Sequence, residues 1–510
     1  MRTRKVASIV VAIAAVAAMM ASAQDARAGD DPREPAFRYT TQAQRHYLRT
    51  GLEEVLVLGV GYAQYVDNKA ANQPDFDNSP DWATLKSKLT LGSAVTFDNN
   101  LYDTNWLTHP LAGYFYYGVA RSNRLSIPLS AGIAFAGSAI WEVLGEIRED
   151  AAINDLIATP LSGMSLYEPM MQTGVFFQRA RRTPASVALA WLFAPFKSLH
   201  DTIDGLEPER ATELDDLGLP ADDWHRIRLG GSVGVTHQRG GLTQGDARFY
   251  GSSRIITLPR YGREGTTSGF FDAAGVSELE LQIGLSEGRM VDANIAAHML
   301  PFGYRAQDVR LTPSGELYGH SFVAGLHIGT EYGRHDYDRD RRRDPDRLAF
   351  VSAGTSIEET LHLGALLLRA RVDGLATFGG VDAYALPEYE RRYGLANVTS
   401  VVRNQRYAHT YGATVRPRFE LELGRFDSGV DLRGDWFGQV TGRDRGAEPG
   451  QLGVAASDRR FIGRTFIGYS PSHHIRLSLT AEMRERMGRI EDIRASRSEL
   501  GLHGGIEAVF

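Results

Sequence analysis

The residues best suited to chemistry lie close together in the first half of the chain. Glu142 and Glu146 are four positions apart, so on a helix their carboxyl groups lie one above the other on the same face. Two carboxyl groups in a partly apolar setting repel each other, and one of them then binds its proton more tightly unless a cation or a metal ion lies between them. A general acid/base pair or a metal site uses this arrangement.

Other residues could complete such a site. His109 and Asp155 join the two glutamates in the candidate catalytic set, and the candidate binding residues are Asn154, Arg121 and Trp141, of which Arg121 is expected to neutralise the glutamates. Three interpretations are open: a catalytic site, a ligand gate, and a buried network of salt bridges and hydrogen bonds that fixes the helices. The network is preferred because the strands that follow carry dense rows of charge. No cofactor or metal site is predicted, since the chain has no Gly-Lys-Ser/Thr phosphate loop and no cysteine.

Helices are predicted to position these residues. Pro110 and Pro128 each lie where a first-turn proline is tolerated, and Ser126 is a plausible N-cap. The predicted helices cover residues 109–121, 126–148, 154 or 155 toward 169, and 183–203, with Asn154 or Asp155 as the cap of the third and Thr183 with Pro184 at the start of the fourth. Residues 127–141 are uncharged, but the run is too short and too interrupted to cross a bilayer. We therefore expect these helices to be buried in protein or covered by a partner.

The spacing of these residues resembles a known family. The motif pieces are Phe97-Asp98-Asn99-Asn100, Asn105-x-x-x-His109-Pro110, Tyr116-Tyr117-x-x-Ala120-Arg121, Trp141-Glu142-x-x-x-Glu146 and Asn154-Asp155-Leu156-Ile157. Together they are similar to the family catalogued as domain of unknown function 3943. The resemblance implies a Gram-negative envelope protein, commonly with barrel-like strands after the motif region, and it implies no reaction.

After about residue 224 the hydrophobic period changes from that of a helix to that of a strand. Apolar and charged residues alternate in segments of roughly 10 to 17 residues, long enough to cross a bilayer as tilted strands. Charges of both signs occupy every second position of these segments, which we call the polar parity, as in the lumen of a membrane barrel. The positions between them form the apolar parity. The chain ends on Phe510, on the apolar parity, which resembles the assembly signal of bacterial outer-membrane barrels. About twelve strands are predicted, with alternating short periplasmic and long outer connections. Two predicted connections break this pattern: a short outer turn at Glu287 and Gly288, and a long inner connection at 302–315.

Composition agrees with an envelope protein. Residues 1–5 carry three basic side chains, residues 6–20 are almost wholly apolar, and small residues follow, which predicts a secretory signal peptide. The negative mean hydropathy excludes a helical membrane bundle, and the formal net charge of −6 on 510 residues gives no reason to expect nucleic acid. The expected partners are outer-membrane lipid, lipopolysaccharide, the barrel assembly machinery and an unidentified small-molecule or lipid ligand.

The sequence thus predicts a mainly β fold: an antiparallel outer-membrane β-barrel of about twelve strands, preceded by an α-helical region that plugs or caps the barrel on the periplasmic side or in the lumen. The predicted divisions are a signal peptide (1–28), a periplasmic lead-in (29–96), a helical motif region (97–205), a linker (206–225) and the barrel (226–510). The leading function is an envelope structural role or transport of a small or lipidic solute. The alternative is a hydrolase of lipid or cell-wall material.

Overall fold

A computed structural model describes residues 45–72, 82–90, 95–147, 149–241, 243–336, 346–396, 398–440 and 454–510. The predicted signal peptide, residues 29–44, 73–81 and 91–94 of the predicted lead-in, and large parts of two predicted outer loops, 337–345 and 441–453, lie outside the described residues. The elements below are numbered in chain order.

The strands form a closed barrel of twelve antiparallel strands, as the sequence predicts. Two short strands, β1 (Val95–Thr96) and β2 (Ala151–Ala152), pair with each other elsewhere. The barrel strands are β3 Trp224–Gln238, β4 Thr243–Ile256, β6 Val276–Ser286, β7 Arg289–Leu311, β8 Leu317–His335, β9 Asp346–Leu363, β10 Leu366–Asp382, β11 Tyr407–Leu423, β12 Phe426–Gln439, β13 Ala456–Ser472, β14 Ile475–Ile490 and β15 Ile493–Val509. β15 pairs with β3 and closes the ring, and β5 (Gly265–Phe271) pairs only with the second half of β7.

The two ends of the barrel differ in their connections. The turn end carries Phe510 and the short connections 312–316, 364–365, 424–425 and 473–474, and the loop end carries residues 383–406 and the two undescribed loops. The prediction of a long connection at 302–315 is wrong, because β7 continues to Leu311 with β5 and β8 paired on either side. The short loop-end turn at Glu287 and Gly288 is confirmed; both residues have positive φ, as a two-residue hairpin turn requires.

The polar parity of the strands faces the lumen, where charged side chains pair across it. Arg248 on β4 binds Glu482 on β14 at 3.1 Å, and Arg484 on β14 binds Asp292 on β7 at 3.0 Å. Neither pair joins neighbouring strands, so the side chains can meet only through the interior. The remaining lumen holds a cavity of about 120 Å³ between such side chains.

Nine helices occupy the described residues. They are α1 Tyr47–Asn72, α2 Trp82–Leu89, α3 His109–Ser122, α4 Ile127–Ile140, α5 Ile153–Arg179, α6 Pro184–Phe193, α7 Pro195–Ile203, α8 Leu386–Tyr393 and α9 Ser400–Gln405. A π-helical turn, Thr104–Thr108, precedes α3, and another, Trp141–Gly145, follows α4. The predicted cap of α6 is confirmed, since Thr183 and Ser186 form a capping box. α5 begins at Ile153 after the N-cap Ala152, one residue before the predicted cap, and continues through Pro160 and Pro169.

The helical domain, which comprises α1 to α7 with β1 and β2, lies on the outer wall of the barrel. On β8, Glu331 binds Arg433 of β12 across the lumen, whereas the next residue, Thr330, hydrogen-bonds Ser165 of α5. Successive side chains of a strand point to opposite faces, so α5 contacts the outward face. The predicted placement of the helices in the lumen is therefore wrong. Lumenal side chains already pair with one another, and the buried outward side chains of β7 to β9 instead form the surface on which α5 packs.

A second strand gives the same result. On β4, Arg254 pairs with Glu358 of β9 across the lumen, while Ser253 hydrogen-bonds Thr173 of α5 at 3.1 Å. Within the domain, α3 and α5 cross with their backbones in contact. A Cβ placed on Gly113 would lie 1.8 Å from the carbonyl oxygen of Thr159, so only glycine permits this approach.

Candidate functional site

The two glutamates of the candidate site lie at the C-terminal end of α4, where the π-helical turn begins. Glu142 is 1% exposed, and its Oε2 accepts a hydrogen bond from the backbone N–H of Ala152 at 2.6 Å. Glu146 accepts one from the indole N–H of Trp141 at 3.2 Å. Each carboxyl group thus has its own partner, and β2 brings Ala152 beside the end of α4.

Lys88 of α2 binds the same helix end. Its Nζ donates to the backbone carbonyl of Glu142 at 2.6 Å and to that of Glu146 at 2.7 Å. The side chain is 3% exposed. A cation at this position adds a donor to the carbonyls at the helix end and complements the negative end of the helix dipole; the carbonyl of Glu146 also accepts from the backbone N–H of Glu149 at 2.9 Å.

His109 and Asp155 meet beside the glutamates. The imidazole Nε2 of His109 lies 3.7 Å from Oδ2 of Asp155, which is 2% exposed. Both residues, together with Glu146, lie close enough to Glu142 to act on it electrostatically. The four residues of the predicted catalytic set therefore converge on one region at the loop end, as their helix positions favour.

Asp98 is the centre of a hydrogen-bond network that the candidate set missed. Its carboxylate accepts from the side-chain amides of Asn100 at 2.8 Å, of Asn154 at 3.3 Å and of Asn105. Its backbone N–H donates to Oδ1 of Asn154 at 3.2 Å, and the amide of Asn154 also donates to Asp155 at 2.9 Å. We call these residues, Asp98, Asn100, Asn105, Asn154 and Asp155, the Asp98 cluster.

The barrel wall contributes two side chains to the Asp98 cluster. The ring Nε2 of His409 donates to the backbone carbonyl of Asp98 at 2.9 Å. The hydroxyl of Tyr407 accepts from Asn105 at 2.8 Å and donates to the carbonyl of Asn100 at 3.0 Å. A signal for this contact exists in the sequence, because His409 stands on the otherwise apolar, outward parity of β11.

Arg121 lies outside the site. Its guanidinium binds both carboxylate oxygens of Glu168, at 2.9 and 3.1 Å, and Tyr117 and Gln172 also bind Glu168. The expectation that Arg121 neutralises the Glu142 pair is therefore wrong. α3 places Arg121 three turns from His109, toward the turn end.

Trp141 lies beside the site, but its ring packs on α1. It stands edge-on to Tyr65 with ring centroids 5.6 Å apart, and Gly61 lies against its face. The Trp141 ring therefore packs α1 against the end of α4, while its indole N–H donates the hydrogen bond to Glu146.

A second polar cluster lies at the turn end of the domain. Arg49 binds Asp204 at 2.7 Å, and Arg124 binds the same carboxylate. The hydrogen bond from Arg49 and the charge of Arg124 lower the pKa of Asp204 to about 2, against the smaller opposing effect of burial. His200 lies 3.0 Å from Glu53 in the same region. Polar contacts thus join the helices at both ends of the domain.

The arrangement at the loop end is a buried docking network. In the described part of the chain, no group of three or more His, Asp or Glu side chains is placed to hold a metal ion. Asp98, Asn105, Asn154 and His409 are each 1% exposed, and their hydrogen bonds connect the helical domain to the barrel wall. The network interpretation fits this geometry, although the network joins the helices to the outer wall and not to the charged lumen.

Comparisons with known proteins agree with this division of the chain. The family model described as Domain of unknown function (DUF3943) matches residues 94–196, which confirms the resemblance for that segment. The segment contains the candidate catalytic set and the Asp98 cluster, but neither Lys88 nor the barrel residues. No curated protein matches the chain.

The comparison with solved structures gives matches of low similarity. KdgM porin is 8% identical over 56% of this chain and 99% of its own, with a TM-score of 0.20. OmpT, an outer membrane protein of Vibrio cholerae, is 6% identical over 59% and 99%, with a TM-score of 0.20. The outer membrane channel DcaP of Acinetobacter baumannii is 9% identical over 59% and 100%, with a TM-score of 0.22. The closed barrel of this chain is established by its own strand pairing.

Proposed function

We propose that the protein is an outer-membrane β-barrel with a non-conducting lumen, which serves as a scaffold for the helical domain on its lipid-facing wall. The outward parity supports a membrane location. Large apolar side chains on that parity are uncovered on strands around the barrel, among them Val233, Ile357, Phe419, Ile467 and Leu502. Water does not tolerate such a continuous apolar surface, whereas a bilayer requires it.

The cross-lumen ion pairs carry the proposal that the barrel does not conduct. Arg226 reaches Glu420 of β11 at 2.9 Å, and His335 reaches Glu499 of β15 at 2.6 Å. Together with the pairs of Arg248 and Arg484 they connect opposite walls. The cavity of about 120 Å³ lies among these charged side chains. We infer that the cross-lumen pairs, which occupy the interior between opposite walls, leave no open path for an aqueous solute among the described residues.

A closed lumen directs function to the lipid side. The Asp98 cluster and the glutamates lie on the outer wall, so a molecule that reaches them comes from the membrane or from its outer surface. We therefore favour an envelope structural or lipid-handling role over the diffusion of small polar solutes.

Electrical recordings test the closed lumen. The purified protein, confirmed as a barrel by heat-modifiable migration, should give no steady conductance in planar bilayers. The double variant Arg254→Gln/Glu358→Gln removes one cross-lumen pair and should raise the frequency of openings. The matched control is Arg310→Gln, which removes an exposed ion pair with Asp308 and should leave the record unchanged. A stable open conductance of the unmodified protein would contradict the proposal.

A lipid hydrolase is the second candidate function. It is favoured by one observation: the His109 and Asp155 pair lies beside the two buried glutamates, a combination that can exchange protons. Purified protein incubated with phospholipid or lipopolysaccharide micelles would release fatty acid, which mass spectrometry detects. Glu142→Gln should abolish release while heat-modifiable folding is retained. Absence of product from the unmodified protein with both substrates would exclude this candidate.

A further inference from the structure

The longest helix follows the whole height of the barrel. Near its start, Asn154 belongs to the Asp98 cluster at the loop end, and near its end, Phe176 packs with Ile227 and Ile255 at the turn end. The 27 residues of α5 extend about 40 Å, close to the full thickness of a bilayer with its headgroups. α5 therefore lies alongside the strands over the same span that they cross.

Three other helical segments run between the same two ends. α1 binds Asp204 through Arg49 at the turn end and Glu149 through Tyr65 at the loop end. Residues 104–122 run back to the turn end, and Ile127–Gly145 returns to the loop end. With α5 there are four passes, so the described chain begins and ends this domain at the turn end, where β3 also begins.

The surface that these helices turn away from the barrel is apolar. Leu107, Leu111 and Phe115, four residues apart, form an uncovered stripe on one helix, and Ile140 and Leu144 form a second. Of the described helices, Ile127–Gly145 is long and apolar enough to cross a membrane by length and composition, with a mean hydropathy of 1.5 and 39% of the residues buried. The π-helical turn extends α4, which corrects the expectation that this run is too short.

Several polar groups between the two ends are buried and bonded within the domain. Arg121 and Glu168 pair with each other at 8% and 0% exposure, and Ser162 and Ser165 donate to carbonyls of their own helix. The close crossing at Gly113 is the packing that membrane helices use, because small residues let backbones approach where no hydrophobic effect drives association.

From these observations we propose that α1, α3, α4 and α5 cross the outer membrane beside the barrel, with bilayer lipid as the partner of their outward face. The inference rests on the proposed membrane location of the barrel. It adds that one protein combines a β-barrel and a helical bundle in the same bilayer, and that the Asp98 cluster lies at the level of the outer headgroups. The helical segment that carries the first stripe packs on the outer wall through Trp106 and Phe378 of β10, with ring centroids 5.8 Å apart, which supports lipid as the occupant.

Site-specific fluorescence tests this arrangement. The chain suits the experiment because it contains no native cysteine, so each introduced thiol is the single labelling site. Phe115→Cys and Ala136→Cys place a single thiol halfway along two of the helices, at uncovered positions. Val233→Cys is the lipid-facing control on the barrel, and Glu207→Cys is the aqueous control. Each variant is labelled with an environment-sensitive fluorophore, checked for heat-modifiable folding and reconstituted into phosphatidylcholine vesicles with or without a lipid that carries a quenching spin label on its acyl chain.

We expect the labels at Phe115 and Ala136 to lose as much emission to the quenching lipid as the label at Val233, while the label at Glu207 loses little. If only the label at Val233 is quenched, the helices do not contact lipid and this inference fails, while the membrane location of the barrel stands. If the label at Val233 is not quenched in folded protein, the proposed membrane location itself fails.

Discussion

Removal of the Asp98 carboxylate should release the helical domain from the barrel wall. Asp98→Ala leaves the side-chain amides of Asn100, Asn105 and Asn154 without this acceptor. A buried donor that loses its partner costs about 1–3 kcal/mol. Because Asn105 keeps its bond to Tyr407, and Asn154 its bond to the next residue, we take about 1 kcal/mol for each amide, or about 3 kcal/mol in total.

A change of that size is measurable by hydrogen exchange. At about 1.4 kcal/mol for each factor of ten, the undocked population rises by about 150-fold. Backbone amides of α3 and α5 should exchange faster by up to that factor, because opening of the domain exposes them, while amides of β13 to β15 should be unchanged. The barrel strands thus serve as an internal reference in the same mass spectrum.

A matched control separates this effect from a general loss of charge. Asp103→Ala removes an exposed carboxylate from the same segment and should leave exchange unchanged. Wild-type exchange rates in Asp98→Ala, with the barrel folded, would refute the interpretation of the Asp98 cluster as the docking contact. Faster exchange in the barrel strands of that variant would refute the division between domain and scaffold.

Three other changes follow from the helix contacts. Gly163→Ala places a Cβ 2.2 Å from a backbone carbonyl oxygen of α3, and this overpacking should lower the free energy of unfolding of the helical domain by roughly 1–3 kcal/mol and its thermal midpoint with it. Gly132→Ala, with open space around it, should leave the midpoint unchanged. The pKa of Asp204 is lowered in the folded protein to about 2, so its contribution to stability is present above its ordinary pKa of 3.8 and is lost as pH falls from there toward 2. In Asp204→Asn, the stability of the domain should therefore no longer fall with pH through this range on account of this group. Lys88→Met removes one donor from the backbone carbonyls of Glu142 and Glu146, of which Glu146 keeps the bond from the backbone N–H of Glu149. The variant should speed exchange at the end of α4 by a change of about 1–3 kcal/mol in opening free energy, and unchanged rates would exclude a capping role.

The fold of the second half of the chain could be predicted from sequence because a strand shows its two environments in alternate residues. In β14 the residues Ile475, Leu477 and Leu479 alternate with Arg476 and Ser478, and this parity is observed. The strand number also follows from such local patterns, whereas the alternation of short and long connections holds only in part, because the loop-end connections 239–242, 287–288 and 491–492 are short and the turn-end connection 257–275 is long. The convergence of the candidate catalytic set was predictable in the same way, from positions at the ends of successive helices.

The side of the wall on which the helices lie was decided only by the tertiary structure. Lumen and outer wall are two faces of the same strands, and a helix with small and polar residues can pack on either. The choice depends on which charges meet when the barrel closes: Arg254 finds Glu358, and Arg433 finds Glu331, from strands far apart in the chain. Once those pairs fill the interior, the outward face is what remains for the helices, and His409 on that face marks where they attach. Sequence alone determines the alternation, while ring closure determines the partners, because pairing across the lumen depends on three-dimensional distance and not on sequence spacing.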